Sequence, residues 1–376
     1  MPRNYGIPQF MPTKSMPSKD SSYFRAMVTE IPRTLLLDLY QAASNFQQVG
    51  AWAWMDDQHI FGVVHPETNE KAYCCVMGGL GEYFGLAVYI GPAGFRCLSE
   101  MNEEDQESDF AEEDIVYRQD CLICSFEDED ESDPENVELT RSLGLRFPGE
   151  KSHPGFQSYR PGFMPWGLDA REALWMKIAL EQATVVAIHM QEDPERLQSL
   201  GIQPKRQLPF RVKDPESGWG YEPRDVDSPI NLSPLMLKVP APQLKDLKKL
   251  PKADNIWLFE QFFVALPSME PDGDRPFFPK AIVLLDVEDG SFANIEAMKP
   301  EDMGEQAVNV IIDAFHTHKF VPGQFVVANR ENYILLKSFC NSLDIDLYLD
   351  KEMNMIDELR ESVMEMMEGV DGEGEE

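Results

Sequence analysis

The stretch "AIVLLDVEDGSFANIEAM", Ala281 to Met298, reads as a buried apolar strand that ends in three close carboxylates, turns at Gly290 and starts back. An unbroken apolar run fits a strand covered on both faces, and acidic residues before a glycine fit the turn of a hairpin. Working outward, "IWLFEQFFVALPSM" reads as a further strand before it, and "PEDMGEQAVNVIIDAFHTHKF" as a helix after it with Pro300 in its first turn. Strand "QFVVAN", helix "RENYILLKSFCNSL", strand "IDLYLD" and helix "NMIDELRESVMEMMEG" follow, the last carrying Ile356, Leu359, Val363 and Met366 on one face. This ββ-β-αβαβα order predicts a mixed three-layer-type sheet with helices for residues 254–370.

The first half reads differently. Residues 1–30 carry prolines and serines without periodicity and are expected to be a disordered arm. "IPRTLLLDLYQAASNFQQ" places Leu35, Leu36, Leu39, Ala42, Ala43 and Phe46 at helical spacing. "IFGVVH", "KAYCCVMGG" and "FGLAVYIG" are short runs separated by turn residues, an antiparallel meander. Gly78, Gly79, Gly81 and Gly85 follow a strand but lead into another strand, so no helix N-terminus is available to hold a phosphate. "PAGFRCLSEM" reads as a helix, and Asp169 with Glu172 opens a long one running to Met190. The whole is an α+β chain: an N-terminal α+β domain over 31–200 with an acidic loop at 100–138, a Pro-rich connector over 201–253, the C-terminal α/β domain, and an acidic tail over 371–376.

Composition narrows the function. The 376 residues carry 33 bases against 66 acids, a net charge of -33, which repels phosphate backbones and disfavours nucleic-acid partners. No long apolar run and no leader-like opening is seen, so a membrane span is not expected and a cytoplasmic location is. The six cysteines lack a framework spacing and are expected to be free, including Cys121 and Cys124 in the strand-like "CLICSF".

Candidate chemistry lies in two places. In "YRPGFMPW", Tyr159, Arg160, Phe163 and Trp166 are interleaved with prolines and a glycine and could form a rigid shelf for a ligand or a protein partner, against the plainer reading of a loop packing its rings onto the domain. In "DVEDG", Asp286 with Glu288 and Asp289 is either the solvated end of a hairpin or a metal ligand; the turn chemistry favours the hairpin. His316 and His318 sit two apart near a helix C-terminus, a position that suits capping.

The element order of the last domain resembles the ribonuclease H-like fold, whose enzymes place an Asp on the first strand, a carboxylate at the end of the fourth and another on the last helix. On that resemblance Asp286 would be the first ligand and Asp357 or Glu358 the last-helix ligand, with Mg or Mn as cofactor; Asn329, ending "QFVVAN", departs from the pattern. The segments "WAWMDDQHIFGVVHPETNEKAYCCVMGGLGEYFGLAVYIG", "SYRPGFMPW", "AIVLLDVEDG" and "FVVANRENYILLKSFCNSLDIDLYLDK" together resemble an uncharacterised bacterial family of two-domain cytoplasmic proteins of unknown function. That resemblance implies a domain layout and carries no active site. The expectation is a non-catalytic binding or interaction module without cofactor, its partner a protein or small molecule, with the loop at 126–138 as a possible attachment for a basic protein; the alternative is a degenerate or metal-dependent ribonuclease H-like phosphodiesterase using Asp286.

Overall fold

The computed structural model describes residues 31–371 apart from 80, 82, 103–116, 198, 202–206, 228–235, 271–272, 274 and 354. The arm at 1–30, residues 103–116 of the acidic loop and 372–376 of the tail lie outside the described residues. The chain is mixed α+β and divides into two compact units. Residues 161–164, in the middle of the aromatic loop, belong to the second unit, while Tyr159, Arg160 and Trp166 belong to the first.

The first unit opens with α1 (Arg33–Val49), which buries Leu36, Leu39, Tyr40, Ala43 and Phe46 and ends at Gly50 with φ of 64°. Then come β1 (Phe61–Val64), β2 (Lys71–Met77), β3 (Phe84–Ile90), α2 (Gly91–Asn102), β4 (Cys121–Glu127), α3 (Pro134–Leu143), β5 (His153–Tyr159), α4 (Ala170–Glu192), β6 (Gln207–Asp214) and β7 (Gly218–Asp225). The sheet order is β5-β4-β3-β2-β1-β6-β7. The first five strands form an antiparallel meander, and β6 joins parallel to β1. Side chains alternate between two cores. Phe61, Cys74, Val88 and Cys124 face α1 and α4, whereas Tyr73, Cys75, Tyr89 and Cys121 face Phe95 and Leu98 of α2. Cys121 and Cys124 therefore lie on opposite faces of one strand, and both are free and buried.

Two stretches differ from the expectation drawn from composition. Residues 207–225 of the Pro-rich connector are the β6–β7 hairpin of the first sheet, with Pro209 opposite Pro223 and Gly218, φ 79°, in its turn. The acidic loop contains β4 and the start of α3, whose first turn is fixed by Asp133 accepting from Glu135 N at 3.0 Å. Proline at the first helical position fits there because its missing N–H has no helical partner to lose.

The second unit contains α5 (Ala241–Leu247), β8 (Lys252–Phe263), β9 (Lys280–Asp286), β10 (Phe292–Met298), α6 (Met303–His318), β11 (Val321–Val327), α7 (Arg330–Leu343), β12 (Asp346–Leu349) and α8 (Met355–Asp371). Its sheet runs β10-β9-β8-β11-β12, antiparallel among β8, β9 and β10 and parallel across β8, β11 and β12. Helices α6 and α7 cover one face around Trp257, Phe259 and Phe325; α8 covers the other with Ile356, Leu359 and Val363. Gly290, φ 72°, makes the β9–β10 turn, donating its N–H to Asp286 O at 2.9 Å. Among the described residues no helix is long and apolar enough to cross a membrane.

Candidate functional site

The first unit holds a cleft of about 140 Å³ at the outer edge of β5. Its floor is Gly155, Phe156 and Gln157, one wall is Leu36, Leu39 and Tyr40 of α1, and the opposite side is the turn from Pro165 to Leu168. Two polar anchors hold the walls apart. Tyr40 donates to Asn136 Oδ1 at 2.5 Å, and Asn136 Nδ2 donates to Pro154 O at 2.8 Å, so one buried amide ties α1, α3 and β5 together. Burial pushes the Tyr40 phenol far above its ordinary pKa, so it stays a donor. On the other side, Ser158 N donates to Trp166 O at 2.7 Å and Trp166 N to Ser158 O at 3.0 Å.

Trp166 lines the cleft, and its Nε1 is buried with no hydrogen-bond partner. A buried unsatisfied donor costs about 1–3 kcal/mol. The atom is closed to solvent, so a ligand acceptor that meets it as the ring turns would recover that cost. An apolar cavity of roughly 150 Å³ is large enough for a benzene-sized ligand, which sets the scale of what this cleft can enclose.

The rim is acidic and ordered. Glu127 and Asp133 line the cleft. Beside them, Lys151 N donates to Asp128 Oδ1 at 2.7 Å, Lys151 also pairs with Glu131, and Arg141 pairs with Glu129. The Lys151 N–H holds the Asp128 carboxyl below its usual range. Lys151 itself adopts φ of 47°, a left-handed backbone that L-residues rarely take, and this contact fixes it.

The four aromatic-loop candidates do not form one platform. Tyr159 is buried and donates to Gln157 Oε1 at 2.9 Å. Arg160 is half exposed and reaches Glu172 Oε1 at 3.0 Å. Glu172 is occupied as the N3 residue of a capping box with Asp169, so Arg160 braces the start of α4. Phe163 lies in the second unit against Phe277, ring centroids 6.5 Å apart. Trp166 alone of the four lines the cleft.

In the second unit, Asp286 is buried at the end of β9, and its carboxylate accepts from Asn255 Nδ2 at 2.7 Å, Trp257 Nε1 at 3.2 Å and Glu288 N at 3.0 Å. Asp289 is exposed and accepts from Ser291 N, a turn contact. Asp357 and Glu358 are exposed in the first turn of α8. Asn329 caps α7 by accepting from Asn332 N at 2.8 Å. His318 contacts Ala293 O at 3.2 Å from the last turn of α6, and His316 is exposed.

A cluster that sequence reasoning missed lies on β8. Glu260, fully buried, receives Arg360 Nη2 on Oε1 at 2.8 Å and Asn332 Nδ2 on Oε2 at 3.2 Å. The Arg360 guanidinium also stands 5.3 Å from the centre of the Phe262 ring. A signal was present in each element: Glu260 shares a strand face with the core residues Leu258 and Phe262, and Arg360 follows Ile356 by one helical turn on the buried stripe. Among the described residues no group of three His, Cys, Asp or Glu side chains could hold a metal ion.

The fold and its sites define a protein of two α+β units, each with its own mixed sheet. Residues 37–202 match the family model described as domain of unknown function DUF7309, and residues 243–364 match domain of unknown function DUF6930. No curated protein matches the chain.

Proposed function

We propose that the protein is a non-catalytic binding module whose first unit takes a ligand in the β5 cleft. The observation that carries this reading is the buried, unpartnered Nε1 of Trp166, a residue that lines the cleft together with Leu36, Leu39 and Phe156. Apolar side chains beside an unpartnered donor suit an apolar group bearing a hydrogen-bond acceptor. Acetophenone, a neutral aromatic ketone of suitable size, tests it. It should raise the thermal unfolding temperature of the parent chain saturably and that of Trp166→Phe less, because a ligand of the folded state stabilises by mass action. Equal or absent shifts in both would remove the proposal.

The metal-dependent phosphodiesterase reading draws support from the mixed sheet β10-β9-β8-β11-β12, antiparallel on one side of β8 and parallel on the other. The residues do not fit the metals that such an enzyme would need. The first strand is β8, so its carboxylate is Glu260 and not Asp286, and both Glu260 oxygens receive protein donors. The last helix faces it with a cation, Arg360, where a carboxylate would be required. The fourth strand is followed by the cap residue Asn329. A location in the cytoplasm and a protein partner attracted by the acidic segment at 126–138 complete the proposal.

A further inference from the structure

We propose that the cleft receives an extended peptide segment that adds to the outer edge of β5 at Phe156, inserts one apolar side chain and presents Lys or Arg to the acidic rim; this rests on the cleft reading above. Ser158 exchanges both of its main-chain hydrogen bonds with Trp166, so its N–H and C=O point away from β4. Main-chain groups alternate along a strand, so those of Phe156 and Pro154 point the same way. Pro154 O is already taken by Asn136 Nδ2. Phe156 lies between these two anchors, and no described residue outside the sheet bonds to its N–H or C=O.

An unpaired strand edge is a template for another strand, and adding one supplies main-chain hydrogen bonds without a sequence requirement. Here the open edge is one residue long. A peptide residue opposite Phe156 would exchange two main-chain bonds with it, and a peptide carbonyl is also the acceptor that Trp166 Nε1 lacks. Phe156, Asn136 and Trp166 all line the cleft, so the open edge and the apolar space coincide. Its volume of about 140 Å³ admits one large side chain. Charge selects the rest of the sequence. The rim carries Glu127 and Asp133, and the eight acids of residues 127–138 outnumber the two bases that pair there, Lys151 and Arg141, on a chain of net charge -33. Basic flanks would be steered towards it and acidic flanks repelled.

Selection of a random nonapeptide library on the full chain tests this, followed by fluorescence anisotropy on the enriched peptides. The expected consensus is one Leu, Ile, Phe or Met flanked within two positions by Lys or Arg, in peptides without proline at the centre. N-methylation of the central amide should weaken binding at least tenfold, and Trp166→Phe about three- to tenfold, the loss of one hydrogen bond. Raising the salt from 50 to 300 mM should weaken it further. Enriched peptides that tolerate methylation, or that carry acidic flanks, would overturn the edge-addition inference. Failure to enrich any peptide, with acetophenone still stabilising the parent above Trp166→Phe, would overturn it and leave the cleft reading standing. Failure of both probes would remove both.

Discussion

The two units set their buried polar groups in different surroundings. In the second, the buried Glu260 carboxylate faces Arg360 and Asn332, and each oxygen receives a protein donor across elements far apart in the chain. In the first, the buried chain from Tyr40 through Asn136 to Pro154 closes one side of a cleft whose other side ends at an unused indole N–H. The Glu260 cluster, in which Asn332 Oδ1 also has no partner, is packed between helices and sheet and fixes how they meet. An unpartnered group on a residue that lines a cleft is where a ligand's polar atom has something to gain.

The largest expected effect breaks the Glu260–Arg360 pair. Arg360→Met leaves Glu260 buried beside Asn332 without its cation and should cost about 3–5 kcal/mol in urea unfolding, whereas pairing it with Glu260→Leu should recover most of that loss. A double variant as unstable as the single one would mean that the pair does more than satisfy itself. In the first unit, Asn136→Leu removes the partner of Tyr40 Oη and of Pro154 O together and should cost about 1–3 kcal/mol, with weaker acetophenone binding. Asp169→Ala removes the capping box that starts α4 and should cost about 1 kcal/mol without altering binding.

The smallest effect is a pH dependence. His153 is buried near Thr140, with ring and hydroxyl 3.2 Å apart, and burial lowers its pKa below the ordinary value. The unfolded chain therefore binds its proton more readily, so this contribution to stability is present above the unfolded pKa of about 6.5 and declines as pH falls through it. His153→Gln should flatten that part of the stability profile between pH 7 and 5; an unchanged slope would assign it to other groups.

Much of this fold is legible in local sequence. The meander of β1 to β3 announces itself through β-branched runs and turn residues, and the β9–β10 hairpin through "DVEDG" with Gly290 at positive φ. Residues 207–225 are obscured because prolines in an edge hairpin resemble a linker; the "DPESG" turn before β7 was the countersignal. Helix α3 hides in a run of acids, although Asp133 and Pro134 spell its start. The sites are less legible. Trp166 stands out in the sequence, but that Phe163 leaves it for the second unit is decided by tertiary packing. Glu260 and Arg360 are 100 residues apart, so each looks like a stray charge in an apolar pattern until the sheet and α8 meet. Asp286 drew attention because it ends a strand next to other acids, yet its oxygens serve Trp257, Asn255 and the turn.

The central claim is that the first unit keeps an open donor for a ligand. The most direct measurement follows the Trp166 indole N–H resonance, assigned by its loss in Trp166→Phe, through a titration with acetophenone. The expected result is a saturable downfield shift of that resonance while the Trp257 indole, already bonded to Asp286, stays in place. A Trp166 resonance that does not move at saturating ligand would contradict the claim.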